Sequence, residues 1–135
     1  MDFGSNTDMA WIAIVAGMAL IEYIWLSVRV GAARGRYGVS APATTGNETF
    51  ERLYRVQHNT IEQLVIFLPS LWMFGAYADA KIGAGIGLVF IVGRVVYALA
   101  YVANPESRSL GFLLTFLANA VLLLGGTIGA IRQLM

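Results

Sequence analysis

The 135-residue chain contains no cysteine, a single histidine and three prolines. Without cysteine it has no disulfide, no thiolate metal site and no thiol nucleophile of its own, so any sulfur nucleophile has to come from a bound molecule. The lone histidine, His58, has no second ligand at a suitable spacing, so no metal site is expected. Charge is also scarce. Nine basic and eight acidic residues give a net charge of +1, which predicts no general attraction to nucleic acid.

Apolar surface is what the chain has in excess. Hydrophobic residues make up 58% of it and the mean hydropathy is +0.68. Four long segments, at about 9–34, 48–78, 82–103 and 108–134, predict one all-α domain over 1–135, an integral membrane four-helix transmembrane bundle. The first segment is expected to be retained rather than cleaved as a signal peptide, because Asp2 and Asp8 replace a basic n-region and the apolar run is too long.

The second segment is longer than a bilayer requires. About 30 residues would extend roughly 45 Å, against a hydrocarbon core of about 30 Å. Its apolar half, LVIFLPSLWMFGAYA, follows a polar half, ERLYRVQHNTIEQL, which is expected to lie at the membrane interface. Basic residues flank the loops between segments one and two and between three and four. The positive-inside rule therefore places both loops in the cytoplasm and both termini outside.

Helical spacing gathers the polar half of this segment into one stripe, about 100° wide. The stripe consists of Glu51, Arg52, Arg55, Asn59 and Glu62, with Gln57 nearly opposite. On a soluble helix it would be a solvated face with Glu51–Arg55 and Arg55–Glu62 ion pairs. Because it runs into a membrane span, where exposing polar groups to lipid is costly, a role inside the bundle or in a pocket is favoured.

The third segment carries a second set of polar residues. Arg94, Tyr97 and Tyr101 share one face at positions i, i+3 and i+7. Arg94 is expected to form a buried ion pair, with Glu62 or Glu22 as its partner. The two tyrosines either belong to an interfacial aromatic belt or bind a polar ligand beside the stripe.

Two more charged residues carry a chemical hypothesis. Arg108 follows the Pro105 turn and is expected in the first turn of segment four, where a positive charge at a helix N-terminus suits an anion and lowers a thiol pKa. Alternatively, Arg108 serves only to anchor the helix end on the cytoplasmic side, as the positive-inside rule describes. Glu22, in segment one, is expected to pair with Arg29 or Arg94, or to carry a proton in a coupled transporter.

Three stretches taken together resemble a known family. FERLYRVQHNTIEQL, with SAPATTG upstream and GRVVYALAYVANPESR downstream, resembles the membrane-associated proteins in eicosanoid and glutathione metabolism, the MAPEG family. That family includes microsomal glutathione transferases, the leukotriene-forming synthase and the non-catalytic lipoxygenase-activating protein. The resemblance extends from about Arg29 to the last helix and implies a homotrimer of four-helix subunits. The short chain favours a bacterial member, in the inner membrane.

The resemblance also implies a glutathione site between neighbouring subunits at the cytosolic side. The residues matching family positions that bind glutathione from one subunit are Arg55, Asn59, Glu62, Tyr97 and Tyr101. Those matching positions contributed by the adjacent subunit are Arg34, Gln57 and Arg108, the last being the arginine that activates the thiol.

Two positions depart from the leukotriene-forming synthase. Residue 63 is glutamine where that enzyme has a tyrosine in the site, so Gln63 is expected to replace a ring contact by an amide. Residue 35 is glycine where that enzyme has the second arginine of a pair, although Arg36 follows. Both departures affect the expected identity of the substrate more than the binding of glutathione.

The resulting expectation is a membrane-bound glutathione transferase of the microsomal type, acting in detoxification. Its glutathione thiolate is expected to attack a lipophilic electrophile that arrives from membrane lipid, with peroxidase activity toward lipid hydroperoxides as a further expectation. Two alternatives are a non-catalytic scaffold that binds lipid or glutathione, and a small four-helix multidrug transporter, a class that also carries a glutamate in its first span.

Overall fold

The structure, a computed structural model that describes residues 7–135, consists of four α-helices. They are α1 (Thr7–Tyr37), α2 (Glu48–Tyr77), α3 (Ala80–Ala103) and α4 (Ser109–Leu134), and a short 3₁₀ helix at Pro105–Ser107 precedes α4. The all-helical prediction is confirmed, and the predicted bounds differ from these by a few residues at most. Asp2, on which the expected retention of the N-terminus partly rests, lies outside the described residues.

The largest difference is at the end of α1, which continues beyond Arg34 to Tyr37. Gly38 then takes a positive φ of 70°, and the amide of Val39 donates to the carbonyl of Arg34 at 3.0 Å. Glycine adopts this left-handed conformation without steric cost, and the bond satisfies a carbonyl that the helix end leaves free. The helix therefore ends at a glycine whose left-handed conformation closes it.

Asparagine and aspartate begin the next two helices. The Asn47 side chain accepts from the amide of Phe50 at 2.9 Å, and the Asp79 side chain accepts from the amide of Ile82 at 2.8 Å. Each satisfies an amide that has no partner within the helix. Because only Ala78 and Asp79 separate α2 from α3, the chain reverses direction there.

Contacts between α2 and α3 show that these central helices run antiparallel. Arg52, near the start of α2, donates to the carbonyl of Val102, near the end of α3, at 3.1 Å. Halfway along, the rings of Phe67 and Phe90 stack with centroids 3.8 Å apart. Both helices pack against α1 and α4, which make little contact with each other.

Glycines allow α4 to approach α2 and α3 closely. A Cβ on Gly111 would lie 2.6 Å from the Cα of Tyr97, and one on Gly126 would lie 2.8 Å from the amide nitrogen of Phe74. Such backbone proximity is typical of helix packing in membranes. There the hydrophobic effect does not drive helices together, and small residues allow the close van der Waals packing that does. At Gly111 it brings the start of α4 directly against the tyrosine face of α3.

Three helical stretches are long and apolar enough to cross a membrane: Thr7–Tyr37, Ala80–Ala103 and Pro105–Leu134. The fourth, α2, is 30 residues long, but its first half carries the polar stripe. Large apolar side chains point outward, with Ile21 67% and Val65 69% exposed, whereas Arg94 and Thr60 are buried. An apolar exterior around buried polar groups is the arrangement that lipid requires.

Candidate functional site: a polar cleft between α2, α3 and α4

One face of α2 supplies three polar side chains to a cleft at the end of the bundle that holds the loops between α1 and α2 and between α3 and α4. Arg55, Asn59 and Glu62 follow one another at i, i+4 and i+7, so that they line the same side over two turns. The positions between them that face the interior, Val56 and Thr60, are buried. The helix is thus held by its buried face and presents a neighbouring face to the cleft.

The end of α3 and the turn before α4 supply the opposite wall. The rings of Tyr97 and Tyr101 stack with centroids 5.5 Å apart. After α3, the Asn104 side chain accepts from the amide of Glu106 at 3.1 Å and so fixes the turn that carries Arg108. The cleft has a volume of about 430 Å³ and is lined by Arg55, Asn59, Glu62, Tyr97, Tyr101 and Arg108.

The charged residues of this polar cleft have no ion-pair partner among residues 7–135. The ion pairs of that region are Arg52 with Glu48 and Lys81 with Asp8. The Glu51–Arg55 and Arg55–Glu62 ion pairs that would mark a solvated helix face are not formed, and Arg55 and Glu62 line the same cavity instead. Charges that converge without neutralising each other indicate a site for a charged ligand.

A second cavity, of about 410 Å³, continues the cleft along the start of α2. Arg55 and Tyr101 line both cavities. The rest of its wall is formed by Thr44, Glu48, Glu51, Arg52 and Tyr54. Arg52 and Glu51 belong to the predicted stripe, but Tyr54 and Thr44 were not predicted. Tyr54 lies outside that stripe on the helix.

Arg94 supports two residues of the cleft from behind. It is completely buried and donates to Asn59 Oδ1 at 2.8 Å, while its guanidinium carbon lies 4.4 Å from the centroid of the Tyr97 ring. The expected ion pair with Glu62 or Glu22 is wrong, because the nearest acceptors are neutral, although Arg94 interacts electrostatically with Glu22. Tyr97 is only 4% exposed, so it does not belong to an interfacial belt.

Three of the predicted site residues lie away from the polar cleft. Gln57 faces α1 and donates to Ser27 Oγ at 2.9 Å. Arg34 holds the α1–α2 loop by donating to the carbonyl of Ala43 at 2.7 Å. Gln63 accepts from Asn119 Nδ2 at 3.1 Å.

Asn119 was not predicted as a partner of Gln63. It lies near the middle of α4 and is buried, with only 5% of its surface exposed. The signal available in the sequence was an isolated amide in an apolar span, a kind of residue that normally pairs across helices.

Arg108 lines the cleft together with Arg55 and Tyr101 of its own chain. The close crossing at Gly111 is the reason, because it places the start of α4 against α3. The resemblance assigned Arg108 to the site of an adjacent subunit, and that assignment stays a prediction. Arg108 precedes Ser109 as the N-cap residue of α4, and its Nη1 donates to the carbonyl of Pro105 at 2.8 Å.

By its fold, the described part of the chain is an all-helical bundle with three stretches long and apolar enough to cross a membrane and a polar cleft at one end. The MAPEG family model matches residues 12–128, so the chain belongs to the MAPEG family, whose members are membrane-bound.

Three relatives are similar to most of this chain. An uncharacterized protein of Synechocystis sp. is 45% identical over 130 residues, covering 96% of this chain and 95% of that protein. Human microsomal glutathione S-transferase 2 is 36% identical over 118 residues, covering 87% of this chain and 80% of the human protein. Leukotriene C4 synthase of Cavia porcellus is 35% identical over 101 residues, with coverage of 75% and 67%.

Proposed function

We propose that the protein is a membrane-bound glutathione transferase that activates the thiol of glutathione for attack on lipophilic electrophiles. The observation that carries the proposal is the polar cleft, where Arg55, Glu62 and Arg108 meet without ion-pair partners. Relatives named as glutathione S-transferase and leukotriene C4 synthase support the choice of glutathione. Peroxidase activity toward lipid hydroperoxides is a second reaction of the same thiolate.

The charges of the cleft complement those of glutathione. The tripeptide has two carboxylates and one ammonium group, and the cleft offers two guanidinium groups and one carboxylate. Arginine binds carboxylates through paired, charge-assisted hydrogen bonds, and Glu62 can accept from the ammonium. The tyrosine hydroxyls and the Asn59 amide supply neutral hydrogen bonds to the peptide groups between these ends.

Arg108 has the position needed to stabilise a thiolate. A cysteine thiol with a pKa of about 8.5 is mostly protonated at neutral pH, and a reduction of about 2 pKa units requires roughly 2.7 kcal/mol of differential stabilisation. A guanidinium at the N-terminus of α4 adds its full charge to the partial positive charge of the helix end. The activated sulfur then attacks a substrate that enters from the lipid.

We propose that the protein is a homotrimer, which would account for the residues that lie away from the cleft. Gln57 bonds to Ser27 of α1 and Arg34 belongs to α1 itself, and neither lines the cleft. In a cyclic trimer the α1 side of one subunit faces the cleft side of the next, so each can complete the neighbour's site. The basic residues around the two loops favour an orientation with the cleft in the cytoplasm and both termini outside, in a bacterial inner membrane with α2 as the fourth span.

Arg108→Ala tests the proposal. The wild-type protein in detergent should bind glutathione and show a thiolate absorbance band in stopped-flow titration, whereas Arg108→Ala should lose most of that band and at least about 100-fold in turnover with a generic electrophile. The matched control is Arg132→Ala, at the other end of the same helix and away from the cleft. It should leave both unchanged.

The same titration distinguishes the alternatives. Glutathione binding without thiolate formation or turnover would identify a non-catalytic scaffold, and no binding at all would reject a glutathione site. Drug export that depends on Glu22 and not on Arg108 would identify a transporter.

A further inference from the structure

Arg94 has no access to the polar cleft but contacts part of its wall. Its side chain is 0% exposed. Nη2 donates to Asn59 Oδ1 and to Thr60 Oγ1, both at 2.8 Å, and Nη1 lies 3.5 Å from Thr115 Oγ1. Of these three acceptors only Asn59 lines the cleft. Any effect of Arg94 on a bound molecule is therefore transmitted through a neighbour.

The chemistry of the guanidinium fixes the orientation of the Asn59 amide. Arginine has donors and no acceptor, so the atom of Asn59 that faces Arg94 has to be the oxygen. The Thr60 hydroxyl also faces Arg94 as an acceptor, because its hydrogen is donated to the carbonyl of Val56 at 2.8 Å. A flipped Asn59 would place its NH₂ group against a buried cation, at the cost of an unsatisfied group.

The remaining end of the amide faces the cleft. Asn59 is half-buried and lines the cavity between Arg55 and Glu62. Within residues 7–135 its Nδ2 makes no hydrogen bond. The oxygen of this amide is already hydrogen-bonded, so its NH₂ group can donate two hydrogen bonds to a molecule bound in the cleft.

We propose that Arg94 is a positioning residue, which locks Asn59 so that its NH₂ group donates to an anionic group of the bound glutathione, a carboxylate or the thiolate. This inference rests on the proposed function. Arg94 also lies over the ring of Tyr97, at 4.4 Å from its centroid, so a single buried side chain holds two residues of the wall. Rigid support of this kind keeps the donors in place before the ligand arrives.

Asn59→Asp tests the donor role without removing the support. Aspartate has the same shape and keeps an oxygen for Arg94, but it presents a negative oxygen to the cleft where the amide presented N–H groups. The variant should melt no lower than the wild type. Its affinity for glutathione, measured by calorimetry on the detergent-solubilised protein, should fall about 10- to 100-fold.

Asn47→Asp is the matched control. It makes the same amide-to-carboxylate change on the same helix, at a cap that uses only the side-chain oxygen. Its affinity should stay within about twofold of wild type.

The role of Arg94 is tested by a double-mutant cycle with Arg94→Lys and Asn59→Ala. If Arg94 acts through Asn59, lysine lowers glutathione affinity in the wild-type background and has no further effect once Asn59 is alanine. A merely structural role would give the same loss in both backgrounds. Should Arg94→Lys fail to fold, the result with Asn59→Asp still decides the orientation of the amide.

Two results would overturn the inference alone: an Asn59→Asp variant that binds glutathione as tightly as wild type, or additive losses in the cycle. A wild-type protein that binds no glutathione would instead overturn the proposed function, and this inference with it. The two failures are therefore separable in one set of titrations.

Discussion

Arg55 and Arg36 are arginines at the same end of the bundle with different surroundings. Arg55 faces the polar cleft and has no ion pair among residues 7–135, whereas Arg36 lies over the ring of Tyr37, at 5.5 Å from its centroid. At the residue scale, function therefore depends on which guanidinium the fold leaves available beside other polar groups. The number of arginines does not decide it.

Replacing each arginine by alanine should separate the two roles. Arg55→Ala should weaken glutathione binding about 10- to 100-fold, because a hydrogen-bonded charge is lost from the site. Arg36→Ala removes the same charge from the same end of the molecule and should change the affinity by less than about twofold. Calorimetric titration of both variants checks this, and equal losses would show that only the overall positive potential matters.

At the scale of the helix, α2 has three faces with different partners. One face is buried against α3 through Val56 and Thr60, one lines the cleft through Asn59, and one faces α1 through Gln57. The helix can have three different partners because its polar half lies at the end of the bundle. Its apolar half is held in the core by residues such as Phe67. The position of α4 depends on a different feature, the close crossing at Gly111.

Gly111→Ala should therefore damage the fold and the site together. The added Cβ would lie 2.6 Å from the Cα of Tyr97, a backbone atom that cannot move away locally. We expect a loss of about 1–3 kcal/mol in stability and weaker glutathione binding, as Tyr97 and Arg108 separate. Gly85→Ala is the control, since a Cβ there meets nothing within 4 Å.

Thermal melting in detergent, followed by glutathione titration, measures both effects. Gly85→Ala should be neutral or more stable, by up to about 1 kcal/mol, because alanine is the better helix former. If Gly111→Ala had the same melting temperature as Gly85→Ala, the close α3–α4 crossing would not depend on the absence of a side chain at Gly111.

The whole molecule has a cleft side and an α1 side, and the proposed trimer joins them. Arg108 belongs to the cleft side of its own chain, and Arg34 to the α1 side. In a mixed trimer, an Arg34→Ala subunit followed by an Arg108→Ala subunit contains one complete site at their junction. If both arginines came from the neighbouring subunit, no mixture could form a complete site.

Co-expression of these two inactive variants should thus restore about a quarter of wild-type turnover if subunits assort at random. The control is the same pair purified separately and mixed, which should stay inactive unless subunits exchange. Absence of recovery in co-expressed trimers of normal stability would place Arg34 and Arg108 in the same half of the site, or exclude a shared site.

The sequence by itself determined the four helices, the stripe on α2 and the tyrosine face of α3. These follow from local periodicity, since residues spaced by three or four share a face wherever the helix lies. Only the tertiary structure decided that Arg108 lines its own chain's cleft, that Arg94 holds Asn59 in place of an ion pair, and that Gln63 turns to Asn119. Those outcomes depend on how closely two helices cross. The crossing distance is set by contacts between residues far apart in the chain, as at Gly111 and Tyr97, which no local pattern contains.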